Sequence, residues 1–213
     1  MRRLIAPIVI ILVCGLSVMG QQPNGAQSTG QEGQLLPGPF RVYAVNGPRA
    51  KHFHDFFTEN DLNPTVAIIA LQPPANAQDP LGVLMQKLDA FAAEHKAQKF
   101  GAFAIFLTLD KPYLEELGRD AKVGVIESLI KTLNLKGDMS LGIADQDSHP
   151  VKQYGIVTKD DPVNNVKKHL VTVLVYNKQK VEKRFTFTED KKLDEAAIRD
   201  IFAAVEKMLP PKK

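Results

Sequence analysis

The chain has 213 residues, with 27 Lys or Arg against 24 Asp or Glu, and its formal net charge is +3. Arg2 and Arg3 account for two of these positive charges, so the rest of the chain is nearly balanced. No basic patch with interleaved aromatic side chains occurs, which argues against nucleic acid as a partner. The length fits one main domain, and a domain near this size buries roughly 70% of its unfolded surface without needing a disulfide.

The first twenty residues have the layout of a secretory signal. Met1-Arg2-Arg3 is positive, residues 4–16 are almost wholly apolar, and Val18-Met19-Gly20 precedes a polar stretch. We predict a signal peptide over residues 1–20 and an exported protein, periplasmic or secreted. An uncleaved anchor is the alternative, but the apolar run is shorter than the roughly 20 residues that a spanning helix needs. The mature chain is therefore expected to have no membrane-spanning segment.

Cys14 is the single cysteine of the chain, and it lies inside the predicted signal. Lipid attachment at Cys14 is a further alternative, disfavoured because Val13 stands where bacterial lipoprotein signals have a small residue. Removal of the signal would leave a mature chain without any thiol. We therefore expect no cysteine nucleophile, and lean against an enzyme.

A spacer and one domain are predicted to follow. Residues 21–38 are rich in Gln and Gly and nearly free of large apolar side chains, so we predict a disordered spacer. The remainder, residues 39–213, is predicted to be one domain.

Apolar runs and apolar positions at helical spacing predict the elements of this domain. In chain order they are an edge strand over 40–45, a strand over 65–71, a helix from Asp79-Pro80, a strand over 100–109, a helix over 113–135, a strand over 140–144, a short helix over 149–156, a hairpin of strands over 170–176 and 181–187, and a helix from Asp194. Alternation in the last strand places Val181, Phe185 and Phe187 on one face, with Glu182 and Arg184 solvated. The order of elements predicts an α/β fold with a parallel core, an antiparallel hairpin and helices on both faces.

Short stretches within this order carry a resemblance. They are Ser140-Leu-Gly-Ile-Ala-Asp145, Val151-Lys-Gln-Tyr-Gly-Ile156 and Val171-Thr-Val-Leu-Val175. These resemble the thioredoxin-like superfamily in its peroxiredoxin and alkyl hydroperoxide reductase form, over about residues 62 to 209. The resemblance implies a thioredoxin-like three-layer sandwich with a central mixed sheet of about five strands.

The positions that carry redox chemistry in those families depart from the pattern. Their reactive cysteine follows the first core strand, where a helix N-terminus lowers the pKa of the thiol. Residues 72–78 occupy that stretch here, with the sequence Gln-Pro-Pro-Ala-Asn-Ala-Gln. The proline that precedes the hairpin in thioredoxins is replaced by the stretch Lys168-His169-Leu170. Both departures argue against thiol redox activity.

A closer likeness is to exported bacterial thioredoxin-like proteins, several of which have a His-Cys-x-x-Cys segment before a Leu-Asn-Pro. Here the segment is His54-Asp-Phe-Phe-Thr58, ahead of Leu62-Asn-Pro64. Asp55 and Thr58 stand where the two cysteines would be, which implies a relative without the thiol pair.

The same segment offers the best candidate metal site. On an extended chain His52 and His54 point the same way, and with Asp55 they could bind zinc or copper. The set is incomplete unless the fold adds His149 or His169. The alternative is that these are solvated loop histidines.

Two other groups have both a functional and a structural interpretation. Phe53, Phe56 and Phe57 either pack on the core, which we favour, or form an exposed patch for a ligand. Acidic residues at the ends of predicted strands either face a ligand or form turns, and they are Asp110, Asp145 and Asp147.

The leading hypothesis is an exported, non-catalytic thioredoxin-fold domain that binds an unknown protein or small ligand, with no cofactor. The alternatives are a thiol-disulfide or peroxide-related redox protein that acts through a partner's cysteine, a metal-binding protein that uses His52 and His54, and a structural component of the cell envelope.

Overall fold

The computed structural model describes residues 30–60, 62–108 and 116–210. The strands in these ranges are β1 (Arg41–Ala44), β2 (Phe53–Asp55), β3 (Thr65–Ala70), β4 (Gly101–Thr108), β5 (Ser140–Asp145), β6 (Val171–Asn177) and β7 (Lys180–Phe187). The α-helices are α1 (Phe56–Asn60), α2 (Pro80–Glu94), α3 (Glu116–Thr132), α4 (His149–Gln153) and α5 (Glu195–Met208), and a 3-10 turn covers Lys96–Gln98. The predicted signal peptide, residues 1–20, lies outside the described residues.

All seven strands form one mixed sheet in the order β2-β1-β5-β4-β3-β6-β7. β3, β4 and β5 are parallel to one another, and the pairs at both sides of this core are antiparallel. All six residues of β3 are buried, as are seven of the eight in β4. Their uninterrupted apolar sequence fits strands covered on both faces. The predicted α/β sandwich is thus confirmed, with seven strands instead of about five.

Two hydrophobic cores lie on opposite faces of the sheet. The first contains apolar residues of α2, α3 and α5, with Leu88, Leu133 and Ile201 almost wholly buried. The second lies under α1 and α4 and is rich in aromatic rings, among them Phe57 and Tyr154, whose ring centroids are 4.7 Å apart. The sheet therefore forms the middle of three layers, with helices packed on each of its faces.

The first turns of α2 and α5 are capped as the sequence predicts. Asp79 Oδ1 accepts a hydrogen bond from the Leu81 amide (2.9 Å), and Asp194 Oδ1 accepts one from the Ala197 amide (2.8 Å). These side chains satisfy amides that a helix leaves without an internal partner. Pro80 at the start of α2 loses no helical hydrogen bond there.

Asp89 is a buried carboxylate that ties α2 to the loop before β5. It accepts hydrogen bonds from the amides of Lys136 (2.5 Å), Asp138 (2.9 Å) and Met139 (2.9 Å), and only 3% of its surface is exposed. Three donors on one carboxylate compensate for its loss of water. A single side chain therefore fixes the path of the chain into β5.

Asn46 makes a similar connection between the end of β1 and β5. Its Nδ2 donates to the Met139 carbonyl (3.0 Å), and its Oδ1 accepts from the Leu141 amide (2.5 Å). Gly47 follows with a φ of 82°, and a Cβ there would lie 2.8 Å from Ser140 Oγ. The Asn-Gly pair thus forms a tight, anchored turn.

The two sides of the sheet differ from the prediction. β1 is not an edge strand, because β2 pairs outside it, with Val42 opposite His54. At the other side, a register shift between Val175 and Tyr176 changes the pairing of β7. Val181 consequently lies in the second core, whereas Phe187 lies in the first. The predicted single face of β7 is wrong, because a bulge reverses the alternation.

Residues 30–36, which we call the strap, run along the outer side of β7. The Gly33 amide donates to the Val181 carbonyl (2.8 Å), the Val181 amide to the Gln34 carbonyl (2.9 Å), and the Leu36 amide to the Gln179 carbonyl (2.7 Å). This part of the predicted spacer of residues 21–38 is therefore ordered by backbone pairing, which needs no large apolar side chains. Residues 21–29 of the spacer lie outside the described part of the chain.

Arg184 of β7 is not the solvated side chain predicted from alternation. Its guanidinium donates to the carbonyls of Gly30 (3.1 Å), Tyr154 (2.8 Å) and Gly155 (3.1 Å). Burial lowers the pKa of Arg184. One cation therefore joins the strap, the end of α4 and β7.

No helix in the described ranges is both long enough and apolar enough to cross a membrane.

Candidate functional site

A cleft of about 1050 Å³ opens where β3 ends and α2 begins. Its floor consists of apolar residues from the ends of β3, β6 and β7, among them Leu71, Val171 and Phe187. One wall is lined by residues 72–74 and 79–81, and the other by residues 158–160 together with residues 188–189 and 192–193. Open α/β sheets commonly bind ligands at the carboxyl ends of their parallel strands, which is where this cleft lies.

The loop that enters α2 is held by its own amide and carboxylate side chains. Asn76 Oδ1 accepts hydrogen bonds from the amides of Gln78 (2.9 Å) and Asp79 (3.0 Å). Asp79 in turn caps the helix, and its Oδ2 accepts a long bond from the Ala75 amide (3.4 Å). A Cβ on Gly82 would lie 2.6 Å from the Asn76 carbonyl oxygen, so the loop packs tightly on the helix. The loop is thus built to hold its shape, with no nucleophile in it.

His169 joins the far wall to the start of β6. Its amide donates to the Val157 carbonyl (2.7 Å), and its Nδ1 accepts from the Val157 amide (3.2 Å). An accepting Nδ1 places the proton of the neutral ring on Nε2. Burial, with a smaller contribution from the Arg184 charge, lowers the pKa of His169 to about 4. The imidazole is therefore neutral near pH 7 and acts as a structural acceptor.

Lys168 begins the stretch Lys168-His169-Leu170 that leads into β6. The peptide bonds of the described residues are all trans. Lys168 Nζ lies 3.0 Å from Glu189 Oε1, and this carboxylate raises the pKa of the lysine. The Lys168 amide donates to Asp160 Oδ1 (2.9 Å). Lys168 therefore contributes a positive charge paired with Glu189, and its backbone bond to Asp160 fixes the loop before β6.

A hydrogen-bonded loop stands beside this wall. Asp161 and Val166 exchange backbone hydrogen bonds (2.8 and 2.9 Å), and Asp161 Oδ1 accepts from the amides of Val163 (3.0 Å) and Asn164 (3.2 Å). Hydrogen bonds from Asn164 lower the pKa of the Asp161 carboxyl. Val163 is 90% exposed at the tip of this loop.

The predicted metal site lies elsewhere, at β2 and the start of α1. The Nδ1 of His52 is 2.9 Å from the Ala50 carbonyl oxygen, and the Nε2 of His54 is 3.1 Å from Glu59 Oε2. Asp55 Oδ1 accepts from the amides of Phe40 (3.2 Å) and Phe57 (3.0 Å), and Oδ2 accepts from the Thr58 hydroxyl. Asp55 therefore serves as the cap of α1.

No group of three or more His, Cys, Asp or Glu side chains in the described ranges is arranged to hold a metal ion. His149 begins α4, and His169 is engaged with Val157 as described above. Zinc or copper binding at His52, His54 and Asp55 stays a prediction, which isothermal titration of the protein with each metal tests directly.

The other candidate groups have structural roles where they are described. Phe56 and Phe57 are buried in the second core, and Phe53 packs partly against the first. Asp145 Oδ1 accepts from the Asp147 amide (2.8 Å) and so forms a turn, whereas Asp110 lies outside the described residues.

The far wall of the cleft is the part that sequence reasoning missed. It draws together the loop after α4, the residues before β6 and the chain between β7 and α5. The sequence marks this region only by its density of Asp, Asn and Pro after residue 158, which is typical of turns.

No protein-family model matches the chain, and no curated protein matches its sequence. Solved structures match its fold. Reduced Prx3 from Vibrio vulnificus in complex with hydrogen peroxide has a TM-score of 0.54 at 13% identity, covering 82% of this chain and 98% of that one. The yeast mitochondrial 1-Cys peroxiredoxin gives 0.52 at 12% identity, with 83% and 76% covered. Peroxiredoxin Q from Xanthomonas campestris gives 0.52 at 10% identity, with 84% and 98% covered. At these identities the likeness shows the fold alone. The chain therefore has the thioredoxin-like fold in the form seen in peroxiredoxins, as its sequence predicts.

Proposed function

We propose that this protein is an exported thioredoxin-fold domain that binds an extended peptide segment of another protein in its cleft, without thiol chemistry. The observation that carries the proposal is a large cleft at the usual reaction centre of the fold, lined by Gln72, Pro73, Pro74 and Asp79 in place of a cysteine. The proposal rests on this lining and not on the fold alone, because one fold hosts many functions.

The composition of the cleft supports a peptide as the ligand class. Three lysines and three acidic residues line it, so no single sign of charge dominates; they are Lys159, Lys168, Lys192, Asp79, Asp160 and Glu189. Gln72, Gln146 and Thr158 add uncharged hydrogen-bonding groups above an apolar floor. A neutral backbone with alternating side chains suits such a surface, whereas a strongly charged small molecule does not.

Export is part of the proposal and rests on the pattern of residues 1–20. Mass measurement of the form recovered from outside the cytoplasm tests it. We expect a chain that begins at Gln21 and has no cysteine, and a recovered chain that retains Cys14 contradicts this part.

The non-catalytic part is tested by peroxide consumption and insulin reduction with the full chain and dithiothreitol. We expect no turnover above a heat-denatured sample. The Cys14→Ser variant is the matched control. Turnover in the unchanged chain contradicts the proposal, and its loss or persistence in the variant shows whether the thiol is responsible.

Peptide binding is tested by panning a phage-displayed random peptide library on the full chain and measuring the enriched peptides by fluorescence anisotropy. Gln72→Arg places a bulky cation in the cleft, and Gln78→Arg makes the same change in the same loop outside the lining. We expect at least about tenfold weaker binding for Gln72→Arg only, a loss of about 1.4 kcal/mol. Equal binding by both variants contradicts the cleft as the site.

A further inference from the structure

The strap differs from the other segments of the fold in how it is held. Residues 31–35 are all exposed, and 62% of the Leu35 surface is accessible. Three backbone hydrogen bonds to Gln179 and Val181 hold the strap, together with the bond from the Arg184 guanidinium to the Gly30 carbonyl. Of the side chains of the strap, Leu36 packs against the second core, and those of residues 31–35 lie in neither core. Segments with exposed hydrogen bonds and few buried apolar contacts open locally without unfolding the rest.

The contacts of the strap are those of a peptide added to a sheet edge. The Gly33 amide donates to the Val181 carbonyl and the Gln34 carbonyl accepts from the Val181 amide, so two strap residues face one residue of β7, as in a glycine β-bulge of an antiparallel pair. Leu35 and Lys180 form an antiparallel bridge. Main-chain hydrogen bonds of this kind supply affinity when an extended segment binds at a sheet edge, and side-chain contacts supply selectivity.

Glu32 supplies such a selective contact. Its Oε1 accepts from the Arg184 amide (3.2 Å) and its Oε2 from Lys183 Nζ (3.1 Å). The hydrogen bonds from Arg184 and Lys183 lower the pKa of this carboxyl. One acidic side chain thus pairs with both a backbone donor of the edge and a neighbouring cation.

The glycines of the strap fix its geometry. Gly30 and Gly33 have φ of 65° and 81°, in the left-handed region that favours glycine. A Cβ on Gly30 would lie 3.5 Å from the guanidinium of Arg184 and 3.5 Å from the Tyr154 ring, in ordinary contact, so conformation and not space demands glycine there. Residues 30–36, with the pattern Gly-x-Glu-Gly-x-Leu-Leu, thus fit this edge through glycine conformation and through Glu32.

We infer that the outer edge of β7 is a peptide-binding site, occupied in cis by residues 30–36, which takes an extended segment with an acidic residue three positions before an apolar one. This site is separate from the cleft, so it stands or fails independently of the proposed function. The strap is tethered next to the edge at an effective concentration in the millimolar range, so it competes with any such segment. Another segment can therefore bind only after the strap has left the edge of β7.

The test uses the isotope-labelled full chain and an unlabelled synthetic peptide with the sequence of residues 30–38, observed by NMR. Gly33→Pro loosens the strap, because proline has no amide hydrogen and cannot adopt the φ of 81°. We expect saturable shifts of the Val181 and Arg184 amide signals in Gly33→Pro, with half-saturation at no more than a tenth of the concentration needed in the unchanged chain. The matched peptide with Glu32→Gln is expected to bind at least threefold more weakly.

The inference is overturned if the Val181 and Arg184 signals of Gly33→Pro do not shift at millimolar peptide. It is also overturned if the peptide binds Gly33→Pro and the unchanged chain equally, or if the peptides with Glu32 and with Glu32→Gln bind equally. Hydrogen exchange of the unchanged chain covers the case in which Gly33→Pro does not fold. We expect the Val181 amide, which donates to the Gln34 carbonyl of the strap, to exchange at least about 100-fold faster than the Val173 amide in β6. Equal exchange rates show that the strap does not open separately, and overturn the inference.

Discussion

Replacing His169 with asparagine tests the electrostatics of the cleft wall. In the folded chain the Nδ1 of His169 accepts a hydrogen bond from the Val157 amide, and the Oδ1 of asparagine can accept the same bond. The replacement therefore removes a titrating group and keeps the contact. The pKa of His169 is lowered from 6.5 to about 4 in the fold, so the effect of the replacement depends on pH.

The sign follows from proton binding. Between pH 4 and 6.5 the unfolded chain holds a proton on this histidine that the folded chain does not, so the free energy of unfolding decreases as the pH falls through that window. A shift from 6.5 to about 4 corresponds to roughly 3 kcal/mol at about 1.4 kcal/mol per pKa unit. Since the ring is only half-buried, solvent screening reduces this to about 2 kcal/mol.

The assay is urea unfolding followed by far-UV circular dichroism, because the chain has no tryptophan. We expect the stability of His169→Asn relative to the unchanged chain to rise by about 2 kcal/mol between about pH 7.5 and about pH 4. Contributions from groups common to both proteins cancel in the difference. A difference that stays constant within about 0.5 kcal/mol over this window refutes the reasoning.

Three further predictions concern stability and are measured by urea unfolding at neutral pH. Asp89→Asn turns an oxygen acceptor into an amide donor facing backbone amides, and should cost about 2–4 kcal/mol; an unchanged midpoint contradicts the role of this carboxylate. Gly82→Ala brings a methyl group against the Asn76 carbonyl and should cost about 1–3 kcal/mol, whereas Gly124→Ala, with open space around it, should stabilise by about 0.5–1 kcal/mol; effects of the same sign contradict this. Arg184→Met leaves three carbonyls without this donor and should cost about 2–4 kcal/mol, and a loss below about 0.5 kcal/mol contradicts the described contacts.

The core of the fold could be predicted because its signals are local and strong. β3 and β4 are continuous apolar runs, and the helix starts at Pro80 and Glu195 follow capping aspartates. Both kinds of signal depend on residues close together in the chain.

β2 and α1 were missed for the opposite reason. They have three and five residues, too few for a period to show, and they exist because β1 and the second core receive them. The face of Val181 was wrong because a bulge lies within β7: Lys183 pairs with Val175 and Val181 with Tyr176, so Glu182 is an extra residue. Alternation along β7 alone does not show where its pairing with β6 skips a residue.

The candidate site was predictable at one wall only. Asp79 and the absence of a cysteine over residues 72–78 follow directly from the sequence. The contact between His169 and Val157, and the approach of residues 188–193, depend on how distant parts of the chain meet. The strap was missed because the hydrogen bonds that pair it with Gln179 and Val181 join backbone atoms, which leave no mark on composition.

The anchored turn at Asn46 also bears on chemical ageing. In an Asn-Gly pair the glycine amide nitrogen readily attacks the side-chain carbonyl carbon, expelling ammonia and forming a succinimide that opens to aspartate or isoaspartate. Here both ends of the Asn46 amide are bound, to the Met139 carbonyl and the Leu141 amide, so the carbonyl carbon cannot rotate toward the Gly47 nitrogen. We therefore expect the Asn46 side-chain amide to survive prolonged storage that would deamidate an unrestrained Asn-Gly pair. Peptide mapping after incubation measures this.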